Sequence, residues 1–97
     1  MTPKFKLGRT VATPGALTAI QGSTQLPLEF TNRHVCGDWG DVCDEDKKQN
    51  DESVAHEGDN DKQGRVLSSY KTRLGVVIWV ITEWDRSVTT ILLPSDY

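Results

Sequence analysis

The strongest hydrophobic patterning lies in the last third of the chain. Residues 76–82 (Val-Val-Ile-Trp-Val-Ile-Thr) are almost all apolar, and residues 88–93 alternate Val88, Thr90 and Leu92 against Thr89 and Ile91. Residues 65–71 form a third run, and polar turn residues separate the three at 72–75 and 83–86. Short runs rich in β-branched and aromatic residues, bounded by turn signals, predict three antiparallel strands. The nearly continuous apolar character of 76–82 predicts a central strand covered on both faces. Pro94 ends the third strand and leaves Ser95, Asp96 and Tyr97 as a tail.

Before residue 57 the pattern is helical. Thr13 supplies a capping hydroxyl and Pro14 suits a first helical position, so a helix is predicted over 14–21 with Gly22 as its stop. Ser23 or Thr24 can cap a second helix that passes Pro27 and runs to Cys36, ended by Gly37. Leu26, Phe30 and His34 are spaced four apart and share a face, which directs Phe30 inward and sets His34 at the core edge. In Gly37-Asp38-Trp39-Gly40-Asp41 the glycines permit positive φ and the aspartates can accept from nearby backbone N–H groups. Trp39 is then expected to plug against the sheet. Asp41 or Asp44 would cap a third helix reaching about His56, with acids in its first turn and only Val54 and Ala55 as an apolar stripe. Residues 57–64 read as a polar, mobile loop. Residues 4–7 alternate and would form a flexible arm or a short fourth strand.

Helices followed by an antiparallel meander predict an α+β fold: two to three N-terminal helices packed on one face of a three- to four-stranded sheet. The chain has 97 residues, enough for one domain, 1–97, with one core. Its three tryptophans argue against disorder. No apolar run approaches the roughly 20 residues needed to cross a bilayer, and no apolar stretch follows Lys4 and Lys6 as in a secretory signal. The cytoplasm is the expected location, and Cys36 and Cys43 are expected to be free thiols, although a bridge between them is geometrically possible.

Charge changes the picture. Residues 38–61 hold ten acids against Lys47 and Lys48, a local sum of −8, whereas the remaining residues hold nine bases and four acids, a local sum of +5. A solvated acidic helix accounts for this, yet the basic remainder could meet a polyanion, or the acidic helix could itself mimic a nucleic acid.

Several segments carry a resemblance: Arg33-His34-Val35, Gly37-Asp38-Trp39-Gly40-Asp41, Leu67-Ser68-Ser69-Tyr70, Trp79-Val80-Ile81-Thr82-Glu83 and Asp85-Arg86-Ser87-Val88-Thr89-Thr90-Ile91-Leu92-Leu93-Pro94. Over about residues 10–97 they resemble a family of small bacterial proteins, often carried on plasmids and other mobile elements, with no established function. The resemblance implies a bacterial accessory protein and transfers no catalytic residue. A more distant likeness is architectural: helices before a meander, with His, Arg and Thr near the sheet, is similar to the barnase, EndoU, colicin and RelE-like metal-independent ribonucleases.

Two functional readings follow. In the first, a non-enzymatic accessory protein binds an unknown protein or nucleic acid through Arg65, Trp84, Arg86, Ser87 and Thr90. Trp84 is the one tryptophan expected to be substantially exposed. Trp79 and Tyr70, flanked by Lys71 and Arg73, could add aromatic area, or Trp79 could be core. In the alternative, a small nuclease uses His34 as acid or base, Arg65 and Arg86 on the phosphate, and Ser87, Thr89 or Thr90 as donors. The bland account of the same residues is a helix-edge histidine, an Arg86 paired with Asp85 or Glu83, and threonines that favour strands. His34, Cys36, Cys43 and His56 offer zinc-type donors, but without the tight pair of a zinc module. No loop cradles phosphate and no serine stands in a nucleophile elbow. No cofactor, metal or membrane partner is expected.

Overall fold

The computed structural model describes residues 2–97. The chain runs β1 (Arg9–Ala12), α1 (Pro14–Gly22), α2 (Pro27–Val35), α3 (Asp44–Ala55), β2 (Val66–Lys71), β3 (Val77–Thr82) and β4 (Val88–Leu92), and closes with a 3₁₀ turn, Pro94–Asp96. The sheet order is β1-β4-β3-β2. β2, β3 and β4 form the expected antiparallel meander, and β1 joins β4 in parallel. Three helices pack on a four-stranded mixed sheet, an α+β fold. The radius of gyration, 12.8 Å, suits one folded domain of this length, for which about 13 Å is expected.

The fourth strand differs from expectation. Residues 4–7 bend and do not pair; β1 begins at Arg9. The reason is burial. Phe5 sinks into a cluster with Trp39, Val42 and Val66, with Leu7 packed beside it, and the Lys4 N–H donates to the Val35 carbonyl. Gly8, at φ +64, turns the chain so closely against the Arg86 and Ser87 carbonyls that a Cβ there would clash. The Arg9 N–H then donates to Ser87 and starts the parallel ladder.

Thr13 caps α1 as predicted, its Oγ1 accepting from the Ala16 N–H, with Pro14 at the first turn. α2 is capped otherwise. Ser23 is consumed as the C-cap of α1, Thr24 sits at φ +56, and Leu26 becomes the N-cap without a side-chain bond. Pro27, with no N–H to satisfy, starts the helix there. The N-cap of α3 is Cys43, without a side-chain bond, rather than Asp41 or Asp44, and Asp44, Glu45 and Asp46 occupy its positive end.

Strand register divides the sheet into two faces. Val66, Ser68, Tyr70, Ile78, Val80, Thr82, Thr89 and Ile91 point toward the helices and are buried. Ala16 and Ile20 of α1 and Phe30 of α2 close over Tyr70, Ile78, Val80 and Ile91. Each fully buried large apolar side chain stabilises the fold by about 1.5–3 kcal/mol. The opposite face has no helix. β3 is therefore an interior strand covered by helices on one side, not both: Val77 and Trp79 remain partly open.

The outer edge of β2 is closed. Ser69 exchanges backbone bonds with Trp39 and Asp41. Asn50 of α3 donates from Nδ2 to the Leu67 carbonyl at 2.7 Å and accepts from its N–H at 3.1 Å. An asparagine amide here stands in for one residue of a neighbouring strand. Gly40, at φ +72, lets the backbone approach Ser69 where a Cβ would meet the Ser69 carbonyl.

Candidate functional site

The sequence-predicted residues fall in three places, and the first is the interior. His34 lies on the inward face of α2, completely buried. Its Nδ1 is 2.5 Å from Ser68 Oγ and its Nε2 is 2.9 Å from Thr82 Oγ1. Thr82 Oγ1 lies 2.7 Å from Thr89 Oγ1, which donates to the Leu7 carbonyl at 2.7 Å. Direction follows from proton counting. Thr89 has one hydroxyl hydrogen, committed to Leu7, so it accepts from Thr82. Thr82 then accepts from His34 Nε2–H. Burial, reinforced by the nearby Arg86 charge, lowers the His34 pKa to about 3. The ring is neutral, and unprotonated Nδ1 accepts from Ser68. Every polar atom in this line is satisfied, as low-dielectric surroundings require.

Arg86 is also internal. It sits at φ +58 in the β3–β4 turn, and 7% of it is exposed. Its Nε and Nη2 donate to the Glu57 carboxylate, with an ion pair of 2.8 Å. Nη1 donates to the Gly64 and Glu83 carbonyls and Nη2 to Ser53 Oγ. The guanidinium therefore holds both ends of the 57–64 loop against the turn, and its charge is engaged by protein. Gln63 adds a brace, donating to the Trp84 carbonyl and accepting from the Gly58 N–H. The loop read as mobile is thus tied at both ends. His34 and Arg86 do converge, but across Phe5: the ring centroid is 5.2 Å from that of His34 and 5.4 Å from the Arg86 Cζ. A buried phenyl ring fills the space that a substrate phosphate would need.

The turn itself is the second place. Trp84 is 52% exposed there, as expected, and Ser87 is exposed with its N–H on Asp85. The third is the helix-free sheet face. Arg65 and Thr90 belong to it, Thr90 directly opposite Ile81 in the ladder. Register adds Arg9 and Val11 from β1, Val88 and Leu92 from β4, Val77 and Trp79 from β3, and Leu67, Ser69 and Lys71 from β2. Tyr97 stands on Trp79, edge to face at 5.8 Å, and Arg65 Nη1 donates to its hydroxyl at 2.5 Å. The strand positions of this face hold Arg9 and Lys71, Arg65 leads into it, and none of them is an acid. Glu83 at the end of β3 and Asp46, across a shallow cleft of about 70 Å³ from Arg65, form the acidic rim.

Trp79, open between core and contact area from the sequence, lies on this surface, and Tyr97, expected only as part of a tail, joins it. Alternation within β3 carried the signal for Trp79: Ile78, Val80 and Thr82 share one parity and Trp79 the other. Nothing in the sequence brings Tyr97 back over β3. Tyr70, by contrast, is core, its hydroxyl donating to the Asp38 carbonyl at 2.6 Å. Cys36 and Cys43 are free thiols, and His56 is exposed. Among the described residues, no three His, Cys, Asp or Glu side chains gather as a metal site, and no helix is long and apolar enough to cross a membrane.

This architecture defines a class: a small α+β domain with a sealed interior, in which the His34 line and Arg86 are bonded to protein, and one helix-free sheet face. Compared with known proteins, the chain matches no family model, no curated protein and no solved structure.

Proposed function

We propose that this is a non-enzymatic binding protein, an accessory of a bacterial mobile element, that works by macromolecular contact at the open face of the sheet. The bacterial and mobile-element part of the reading rests on the sequence motifs alone. The contact surface rests on one observation: the face opposite the helices carries Arg9 and Lys71 at opposite corners and Arg65 at the head of β2, with Trp79, Tyr97 and Thr90 between them and no acid among its strand positions. Large exposed aromatic and apolar surface rimmed by polar groups marks a contact site on a soluble domain. The rigidity of strands holds such groups at fixed separations.

The metal-independent ribonuclease reading has weaker support. A general acid or base must reach the substrate, and His34 is neutral, buried and hydrogen-bonded at both nitrogens. Arg86 is committed to Glu57.

A photo-crosslinking residue at position 90 tests the reading in the expressing cell, with position 18 on the exposed side of α1 as control. The expected outcome is an adduct, protein or nucleic acid, from position 90 and none from position 18. No adduct at position 90 removes the open face as a contact surface.

A further inference from the structure

The open face has the chemistry of a stacking platform, and the geometry points to its occupant: we infer that it binds single-stranded nucleic acid, with unpaired bases on Trp79 and Tyr97 and phosphates on Arg65, Arg9 and Lys71. This inference rests on the contact surface proposed above and specifies what occupies it.

Three observations carry it. The first is charge. The chain as a whole is acidic, with a net charge of −3, yet the strand positions of this face carry no carboxylate, and Arg9, Lys71 and Arg65 at the head of β2 set three cations against Glu83 and Asp46 at the rim. The acids concentrate instead in residues 38–61, half of them on α3. An acidic protein that keeps one basic face has a surface complementary to a polyanion and repels it elsewhere. The second is the arrangement of aromatics. Trp79 is half-buried and Tyr97 is 67% exposed, their centroids 5.8 Å apart. The two rings meet edge to face, and the Arg65 guanidinium stands over one side of the Tyr97 ring and donates to its hydroxyl, which leaves the other side of Tyr97 and the uncovered part of Trp79 for a base. Aromatic side chains on a sheet surface stack successive bases with little sequence preference, and neighbouring cations hold the backbone. The third is shape. The face is a broad sheet with a shallow cleft at its β2 side. It suits unstacked bases lying on a surface; a duplex offers neither free base faces nor a helix-shaped partner here.

Hydroxyls of Ser69 and Thr90 lie among these groups and can bond base edges or sugars. The proposed contact involves no covalent step.

Fluorescence anisotropy tests this with the full chain and labelled single-stranded oligo(dT) and oligo(U), alongside a duplex and poly-glutamate. Expected is micromolar binding of the single strands and weaker binding of both other polymers. Three engaged cations give a salt slope near −2, at about 0.7 per phosphate neutralised on single strands, and Arg65→Ala should lower its magnitude by about 0.7. Trp79→Ala should weaken binding about fivefold or more, and Trp79→Phe should retain it. Because Trp79 also packs on the sheet, Tyr97→Ala, at an exposed position, provides a second reading with the fold intact and should weaken binding similarly.

Absence of single-strand binding up to about 100 µM, the weak end of non-specific affinity, overturns the inference. So does equal affinity for poly-glutamate or duplex, or binding unchanged in Tyr97→Ala and in folded Trp79→Ala. Protein adducts at position 90 with no oligonucleotide binding would sink the inference and leave the contact surface standing. No adduct and no binding would sink both.

Discussion

His34 illustrates how one residue is decided by contacts far away in sequence. Its spacing from Phe30 places it on the inward side of α2, and that much is legible in the chain. Its partners Ser68 and Thr82 lie 34 and 48 positions later, and only strand register brings them to the ring. The neutral state has a measurable consequence. The folded pKa, about 3, lies below the unfolded value near 6.5, so the unfolded chain takes up a proton first as the solution is acidified. The contribution of His34 is complete above pH 6.5, falls by about 1.4 kcal/mol per pH unit below it, and levels off once pH passes the folded pKa. Urea midpoints measured from pH 7 to 4 should therefore drop more steeply in the wild type than in His34→Gln. Parallel profiles would show that the ring is not held neutral. Nitrogen NMR should find the Nε2–H tautomer that proton counting assigns. Ser68→Ala removes the donor to Nδ1 and leaves a buried acceptor open, at a cost of about 1–3 kcal/mol, readable as a lower urea midpoint at pH 7.

At the scale of elements, the fold is held by side chains that bridge one element to the backbone of another. Arg86 ties the β3–β4 turn to the end of α3 and to Gly64. The sequence offers Asp85 and Glu83 as neighbours for its charge, but a turn residue at φ +58 aims inward, and its ion-pair partner is Glu57. Removing Arg86 leaves the partly exposed Glu57 carboxylate to water but strands the Gly64 and Glu83 carbonyls and Ser53 Oγ that the guanidinium bonds, a cost of about 1–3 kcal/mol. Arg86→Ala should lower the denaturation midpoint accordingly and speed amide exchange across residues 57–64. Arg86→Lys should recover only part of the loss, because an ammonium cannot reproduce the fork of bonds to Glu57, Gly64 and Glu83. Asn50 works on the other edge. Asn50→Ala would free the Leu67 N–H and carbonyl, with an expected cost of about 1–3 kcal/mol and increased self-association in light scattering, since the β2 edge would then be open. The N-terminal segment shows the same logic. The Phe5 and Leu7 alternation is visible in the sequence as strand-like, whereas burial against Trp39 and Val66 converts it into a packed strap.

Across the whole molecule, the two faces of the sheet divide the work. The helix side carries stability: apolar contacts of α1 and α2, and the His34 line beneath them. The open side carries cations and aromatics that the interior does not need. Substitutions should separate accordingly. Thr90→Glu, at a half-buried position on the open face, should change stability by no more than about 0.5 kcal/mol, as is usual for surface substitutions. It should nevertheless suppress oligonucleotide binding by placing a carboxylate among Arg9, Arg65 and Trp79. Thermal unfolding and anisotropy on the same sample distinguish the two effects, and a variant that unfolds yet still binds would contradict the division.

For the three helices and the C-terminal meander, element type was determined by the chain itself, because helical period, turn chemistry and β-branched runs act over a few residues. Thr13 and Pro14 start α1, acids open α3, and the three C-terminal runs become β2, β3 and β4 within a residue or so of their sequence bounds. What tertiary structure alone decided was which side chains share a space. The parallel seat of β1 on β4, the burial of Arg86, the sealing of His34 by Phe5 and the return of Tyr97 to Trp79 all join residues distant along the chain. Such contacts depend on register and chain reversal, and local pattern carries neither. Local pattern therefore places the C-terminal meander, whereas the fourth strand forms at residues 9–12 and not 4–7, Arg86 turns inward from the surface expected for it, and Trp79, open between core and contact area, lies on the helix-free face.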